Sequence, residues 1–167
     1  MGSELHLVPK PQLSEWIVAV VEAESPVHID EVARRICDAA SIKRRGARIT
    51  EAIASASRLS VRNERIVAKG GFLWLPKQET LVARDRSRLP AASRKIEFIA
   101  PQELEAAVLE ALKTSLGLPK DEIPSVAARY LGFNRTSASI DEAFQGVIDT
   151  MIQNDRLTRH GQDLVAM

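Results

Sequence analysis

Ile42-Lys43-Arg44-Arg45-Gly46-Ala47-Arg48-Ile49 packs four cations into eight residues. Four cations crowd a point from which Ile49, Ala52, Ile53 and Ala56 recur at helical spacing, so the stretch reads as the start of an amphipathic helix. Just upstream, Ile29, Val32, Ala33, Ile36 and Cys37 form the apolar stripe of another helix. Arg34 and Arg35 point away from that stripe, and Asp30 is the expected N-cap. Helix, short turn, basic helix is how a helix-turn-helix offers its second helix to a phosphate backbone.

The pattern extends on both sides. Residues 1–12, with Pro9 and Pro11, read as an extended lead-in. Leu13, Trp16, Ile17, Val20 and Val21 then mark a first helix, which Ser25-Pro26 ends because the residue before a proline is pushed out of helical geometry. Val27-His28-Ile29 is a short extended piece. Downstream, Arg65-Ile66-Val67-Ala68 and Phe72-Leu73-Trp74-Leu75 are strand-like, and Lys69-Gly70-Gly71 between them signals a tight hairpin. The order over 13–75 is helix, strand, helix, helix, strand, turn, strand. That is the order of a winged helix-turn-helix.

Residues 76–100 lack long periodicity, and Lys77, Arg84, Arg86, Arg88, Arg94 and Lys95 outnumber the acids there. They read as a basic connector that includes a short strand, Ile96-Glu97-Phe98-Ile99. A second series begins at Pro101, with Glu103 in its first turn, and Leu104, Val108, Leu109 and Leu112 mark its first helix. Gly117-Leu118-Pro119 breaks that helix. Pro124 opens the next one and Gly132 ends it. Ile140, Ala143, Phe144, Val147, Ile148, Met151 and Ile152 carry a final long helix. Two strand-like pieces around Gly161 close the chain.

The two series align at a shift of 91 residues, with nine identities over the 32 positions from 44 to 75. Among them are Arg44/Arg135, Ile49/Ile140, Asn63/Asn154, Arg65/Arg156, Gly70/Gly161 and Leu73/Leu164. The alignment implies a longer loop before the second helix in the second half, and a longer turn after it in the first. The expected architecture is therefore mainly α with small β wings (α+β): a tandem winged helix-turn-helix, with repeats at 13–75 and 101–167.

Charge separates the halves. Residues 43–62 hold Lys43, Arg44, Arg45, Arg48, Arg58 and Arg62 against Glu51, a balance of +5. The equivalent 134–153 hold Arg135 against Asp141, Glu142 and Asp149, a balance of −2. A phosphate backbone attracts the first and repels the second. The whole chain carries only +1, so nucleic-acid affinity has to come from this local asymmetry. Arg44 recurs as Arg135, which points to a framework role and leaves Lys43, Arg45 and Arg48 as the stronger binding candidates. Lys69 at the wing and Arg84, Arg86 and Arg88 in the connector complete the expected nucleic-acid-binding set. Against this stands the plainer reading, a solvated helix start and a solvated linker. Cations at a helix N-terminus oppose the helix dipole, however, and phosphates would account for them.

Little else suggests chemistry. The motifs of phosphate loops, dinucleotide folds and serine hydrolases are missing, and no Cys/His spacing suggests zinc. His28 reads as a packed or hydrogen-bonded structural histidine. Cys37 reads as an inert core thiol, and Trp16 and Trp74 as core aromatics. The expectation is a non-enzymatic chain without cofactor or metal. A lone cysteine, no long apolar run and no signal-like start give a cytoplasmic expectation with no membrane partner.

At Glu24-Ser25-Pro26-Val27-His28-Ile29-Asp30-Glu31-Val32-Ala33-Arg34-Arg35-Ile36, followed by Arg44-Arg45-Gly46-Ala47-Arg48-Ile49, the chain resembles the DUF3320 family. The resemblance continues through Val82-Ala83-Arg84-Asp85-Arg86-Ser87, Ile99-Ala100-Pro101-Gln102-Glu103-Leu104 and Ala127-Ala128-Arg129-Tyr130-Leu131-Gly132-Phe133-Asn134-Arg135. Domains of that family usually close large bacterial proteins that join a superfamily-1 helicase to a restriction-endonuclease-like domain. The resemblance implies an accessory, DNA-processing context with helicase or nuclease domains as partners, in cis or in trans. It implies no catalytic residues.

Overall fold

The computed structural model describes residues 4–167; the first three residues of the expected lead-in lie outside the described residues. The chain divides into two compact units between Glu79 and Thr80. Both are α+β. The described residues hold six α-helices and two small three-stranded antiparallel sheets. Among the described residues no helix is long and apolar enough to cross a membrane.

In the first unit, α1 (Lys10–Glu24), α2 (Ile29–Ala39) and α3 (Ala47–Arg62) pack with β1 (Val27–His28), β2 (Val67–Lys69) and β3 (Phe72–Trp74). The sheet order is β1-β3-β2. Leu13, Ile17 and Val21 recur every fourth residue and are buried against Ile49, Ile53 and Ala56 of α3. Fully burying an aliphatic side chain of this size contributes about 1.5–3 kcal/mol, so this row dominates the unit. Where α1 and α3 meet, Ser14 and Ser60 are both buried and their hydroxyls bond at 2.6 Å, which satisfies the polar groups that small residues bring to a close helix contact. Ser25 ends α1 and ties down the end of the unit: Leu75 donates to its Oγ, which donates to Gln78 Oε1, and Gln78 Nε2 donates to its carbonyl.

Several local expectations are corrected. The described part of the lead-in is not the expected extended piece. Leu5–Leu7 form a 3-10 turn with Leu5 buried, and α1 starts at Lys10, because Pro11 fits a first turn that needs no donor. The N-cap of α2 is His28, not Asp30: its Nδ1 accepts the Asp30 N–H at 3.2 Å, and its ring meets Phe72 edge-on. Trp16 lies 39% exposed and Trp74 only half-buried, so neither is a core aromatic. Cys37 is buried, and burial pushes its thiol up in pKa.

The second unit holds α4 (Pro101–Ser115), α5 (Ile123–Tyr130) and α6 (Ala138–Gln153) with β4 (Leu118–Pro119), β5 (Leu157–His160) and β6 (Asp163–Ala166). The sheet order is β4-β6-β5. Phe144, Ile148 and Met151 of α6 are buried against Leu104, Val108 and Leu112 of α4. A displacement of 91 residues carries the bounds of α1, β1 and α3 onto those of α4, β4 and α6, and the first 3-10 turn onto Ile96–Phe98. Ile96–Phe98 is therefore a helical turn and not the expected strand. As expected, more residues separate β4 from α5 than β1 from α2. The turns that follow, 40–46 and 131–137, have the same length, which corrects the expected difference.

The identities acquire physical reasons. Gly70 and Gly161 both take positive φ in the hairpins, and Glu64 and Asp155 take positive φ after the third helix of each unit. Arg65 pairs with Glu15 of α1, and Arg156 with Glu105 of α4, so each ties the entry of the hairpin to the first helix of its unit. Leu73 and Leu164 are buried.

Residues 80–100 belong to the second unit. Arg86 and Glu103 are both nearly inaccessible and meet in a two-pronged ion pair, at 2.7 Å on each prong. Arg84 N–H donates to the same carboxylate, and Arg86 N–H donates to the Leu131 carbonyl. Gly132, at φ +86°, lies beneath this strap; a Cβ there would come within 2.4 Å of the Ser87 nitrogen. The strap is thus part of the fold.

Candidate nucleic-acid interface

The expected basic helix start exists and is open. Gly46 occupies the N-cap position of α3 and supplies no side-chain acceptor. Its carbonyl accepts from Ile49 and Thr50, while among the described residues the N–H groups of Ala47 and Arg48 find no acceptor. Unsatisfied donors at a helix N-terminus form an anion-binding position. Around them lies a recess of about 540 Å³ lined by His6, Lys43, Arg44, Gly46 and Arg48, among others. Lys43, Arg44 and Arg48 are exposed and make no ion pair among the described residues.

Arg45 differs. Its guanidinium donates to Asp30 at 2.8 Å, so α2 already neutralises part of its charge. Arg44, expected to serve the framework, makes no ion pair among the described residues, whereas Arg45 is partly committed. Asp30 does not cap α2, and its carboxylate lies between His28, 3.8 Å from one oxygen, and Arg45, 2.8 Å from the other.

Arg34 and Arg35 are also committed. Both bond the buried Glu31 carboxylate, and Arg35 reaches Glu24 as well. The Glu31 hydrogen bond, more than any other contact, holds the Arg34 guanidinium above its ordinary pKa. Arg58 is exposed and pairs with Glu51 at 2.6 Å.

Lys69 ends β2 beside the hairpin turn and is exposed, but it does not line the recess. The expected connector set belongs to the other unit. Arg88 is exposed there and Arg84 half-buried. Arg86 is corrected: it is 2% exposed and Glu103 fills its fork, so it has no face to offer a phosphate. A buried guanidinium without a partner is strongly destabilising, so the bond is structural.

The corresponding helix start in the second unit is closed. Ser137 caps α6, accepting from Ile140 N–H, and Asp141 follows in the first turn. Arg135 is exposed there, as Arg44 is in the first unit.

No curated protein and no solved structure matches this chain. One family model does match, over residues 3–51. It covers Glu24–Ile36 and Arg44–Ile49, while Val82–Ser87, Ile99–Leu104 and Ala127–Arg135 lie beyond it. The matched residues carry α1, α2 and the basic start of α3, and the family they match is that described as Protein of unknown function (DUF3320).

Proposed function

We propose that the chain is a tandem winged-helix module whose first unit binds nucleic acid, with DNA as the expected form, as an accessory part of a helicase or nuclease system in the cytoplasm. The observation that carries the reading is the open start of α3: a recess lined by Lys43, Arg44 and Arg48, which make no ion pair among the described residues, beside a helix start whose Ala47 and Arg48 N–H groups find no acceptor there. Phosphate contacts of this kind give affinity and position without reading sequence. The winged-helix reading is supported by the element order, the three-stranded sheets and the coincidence of bounds at 91 residues. Exposed Lys69 at the hairpin and Arg88 in the second unit would add backbone contacts. Arg84 would contribute less, because its backbone is held by Glu103.

The test is a triple charge reversal, Lys43→Glu with Arg44→Glu and Arg48→Glu, assayed on duplex and single-stranded DNA across a salt series. Affinity at low salt should fall by about a hundredfold or more, and the slope of log K against log salt should shrink by about one unit per cation removed. Arg135→Glu should leave both unchanged. Undiminished binding by the triple variant would refute the reading. Assays for ATPase and nuclease activity on the same preparation should be blank, since the chain is proposed to act without chemistry.

A second reading, a protein scaffold that docks a helicase or nuclease partner, is favoured by the acidic balance of α6, where Asp141, Glu142 and Asp149 are exposed and Asp149 stands at the position of Arg58 in α3. A silent gel shift at low salt together with a stable complex with such a partner would select it.

A further inference from the structure

We propose that the groove between the C-terminal half of α3 and the β2–β3 hairpin docks an amphipathic protein segment with apolar anchors and acidic flanks. The surface is distinct from the cationic recess and independent of the DNA reading. It encloses about 420 Å³, and its lining includes Ile29, Ala54, Val61, Ala68 and Phe72. Ser57 in its wall already donates to the Ile53 carbonyl, so the wall makes no polar demand on an occupant. Val61 is left 37% exposed. At the rim stand Arg58, which pairs with Glu51, and Arg62, which makes no ion pair among the described residues.

The second unit shows that this framework does not require such a groove. At a shift of 91 residues, Ile29, Ala54, Ala68 and Phe72 become Lys120, Gln145, Arg159 and Asp163. Where the first unit has Ile29 and Arg58, the second has Lys120 and Asp149, and these join in an ion pair at 2.5 Å across the gap. One unit closes the position with its own charges; the other keeps it apolar, with cations at its edge.

That combination selects the occupant. Apolar walls cannot replace the hydration of a phosphodiester, so a nucleic-acid backbone is disfavoured here. A helix that presents anchors at i, i+3, i+4 and i+7 fits a groove between helix and hairpin. Acidic flanks complement Arg62 and the residual charge of Arg58.

The experiment uses the full chain, isotope-labelled for NMR, and three synthetic helical peptides of about 16 residues, roughly four to five turns. The first carries Leu anchors and Glu flanks, the second Leu anchors and Lys flanks, the third Ser in place of Leu. The Leu/Glu peptide should bind and shift the amides of Ala54, Val61 and Ala68. The Leu/Lys and Ser/Glu peptides should bind at least tenfold more weakly. Val61→Asp should weaken the Leu/Glu peptide at least tenfold, and Arg62→Glu should move the preference toward the Leu/Lys peptide. Arg44→Glu should leave peptide binding unchanged, which separates this groove from the DNA surface. The proposal is overturned if the Leu/Glu peptide gives no shifts at ~1 mM, the weak end of measurable association. Equal binding of both charged peptides, shifts confined to other surfaces, or a groove covered instead by concentration-dependent self-association would also overturn it.

Discussion

The first unit starts its third helix at Gly46 with four cations and no side-chain cap; the second starts the equivalent helix at Ser137 with a hydroxyl cap and Asp141 in the first turn. Both helices run for 16 residues. A cap such as Ser137 is what helix stability alone would favour. The first unit forgoes it and sets charge against the helix dipole, at a cost of about 0.3–1 kcal/mol per cation at most. The start of α6 is thus capped by its own side chain, whereas the start of α3 is not, and the proposed phosphate contacts would account for that difference. The strap makes the opposite point. Only the second unit has an acid at the position of Glu103, which is Gln12 in the first, and only there does glycine fill the positive-φ position held by Ser41 in the first. The first unit therefore lacks the acid that holds Arg86 in the second.

The largest expected effect comes from breaking the strap. Glu103→Ala leaves the Arg86 guanidinium buried and unpaired, which should cost the second unit about 3–5 kcal/mol. Hydrogen exchange of α6 amides reports it without interference from the first unit, whose α3 amides should hold their rates. Replacing Arg86 and Glu103 together with Met and Leu should recover most of the loss, because the penalty comes from the stranded charge and not from the lost attraction.

Gly132→Ala tests the space beneath the strap. The added Cβ meets backbone at 2.4 Å, at a φ that disfavours side chains, so a loss of about 2 kcal/mol is expected by the same exchange measurement. Ser41→Gly in the first unit relieves only the unfavourable φ and should change little.

The helix starts can be exchanged. Ser137→Ala should cost about 1 kcal/mol of α6 stability, and Gly46→Ser should gain a few tenths in α3, both read from urea midpoints of local exchange. If Gly46→Ser also weakens DNA binding, the free N–H groups take part in it; if not, the cations act alone.

The smallest effect is a pH dependence. The Ser87 backbone N–H, and then its hydroxyl, hold the exposed Asp85 carboxyl below its ordinary pKa. A depressed folded pKa means that the contribution is complete above the unfolded value and is lost as pH falls through the folded one. Asp85→Asn should make the acid limb of strap stability slightly shallower, measured by exchange in mildly acidic buffers.

Periodicity carried most of the element order into view, because helix and hairpin formation here follow local rules. Pro101, Gly70 and Gly161 punctuate the chain where the sequence places them, and Leu13, Ile17, Phe144 and Ile148 are buried as their spacing demands. Local reading failed where a partner distant in sequence decided the outcome. Ile96–Phe98 looks like a strand, yet it forms a 3-10 turn. Arg86 looks like a linker cation, yet Glu103 lies 17 residues away and encloses it. Arg45 looked freer than Arg44 until Asp30, 15 residues upstream, claimed it. The apolar groove was invisible because Ile29, Val61 and Ala68 come from three separate elements.

The helices, the hairpins, the recurrence at 91 residues and the charge contrast between the two halves are all legible along the chain. These depend on spacing and composition, which a linear chain already contains. Which cations meet a partner among the described residues depends on the folded packing. Charge is a property of a residue, but availability depends on what the fold sets against it: Asp30 against Arg45, Glu103 around Arg86, and no acid paired with Lys43, Arg44 or Arg48 among the described residues.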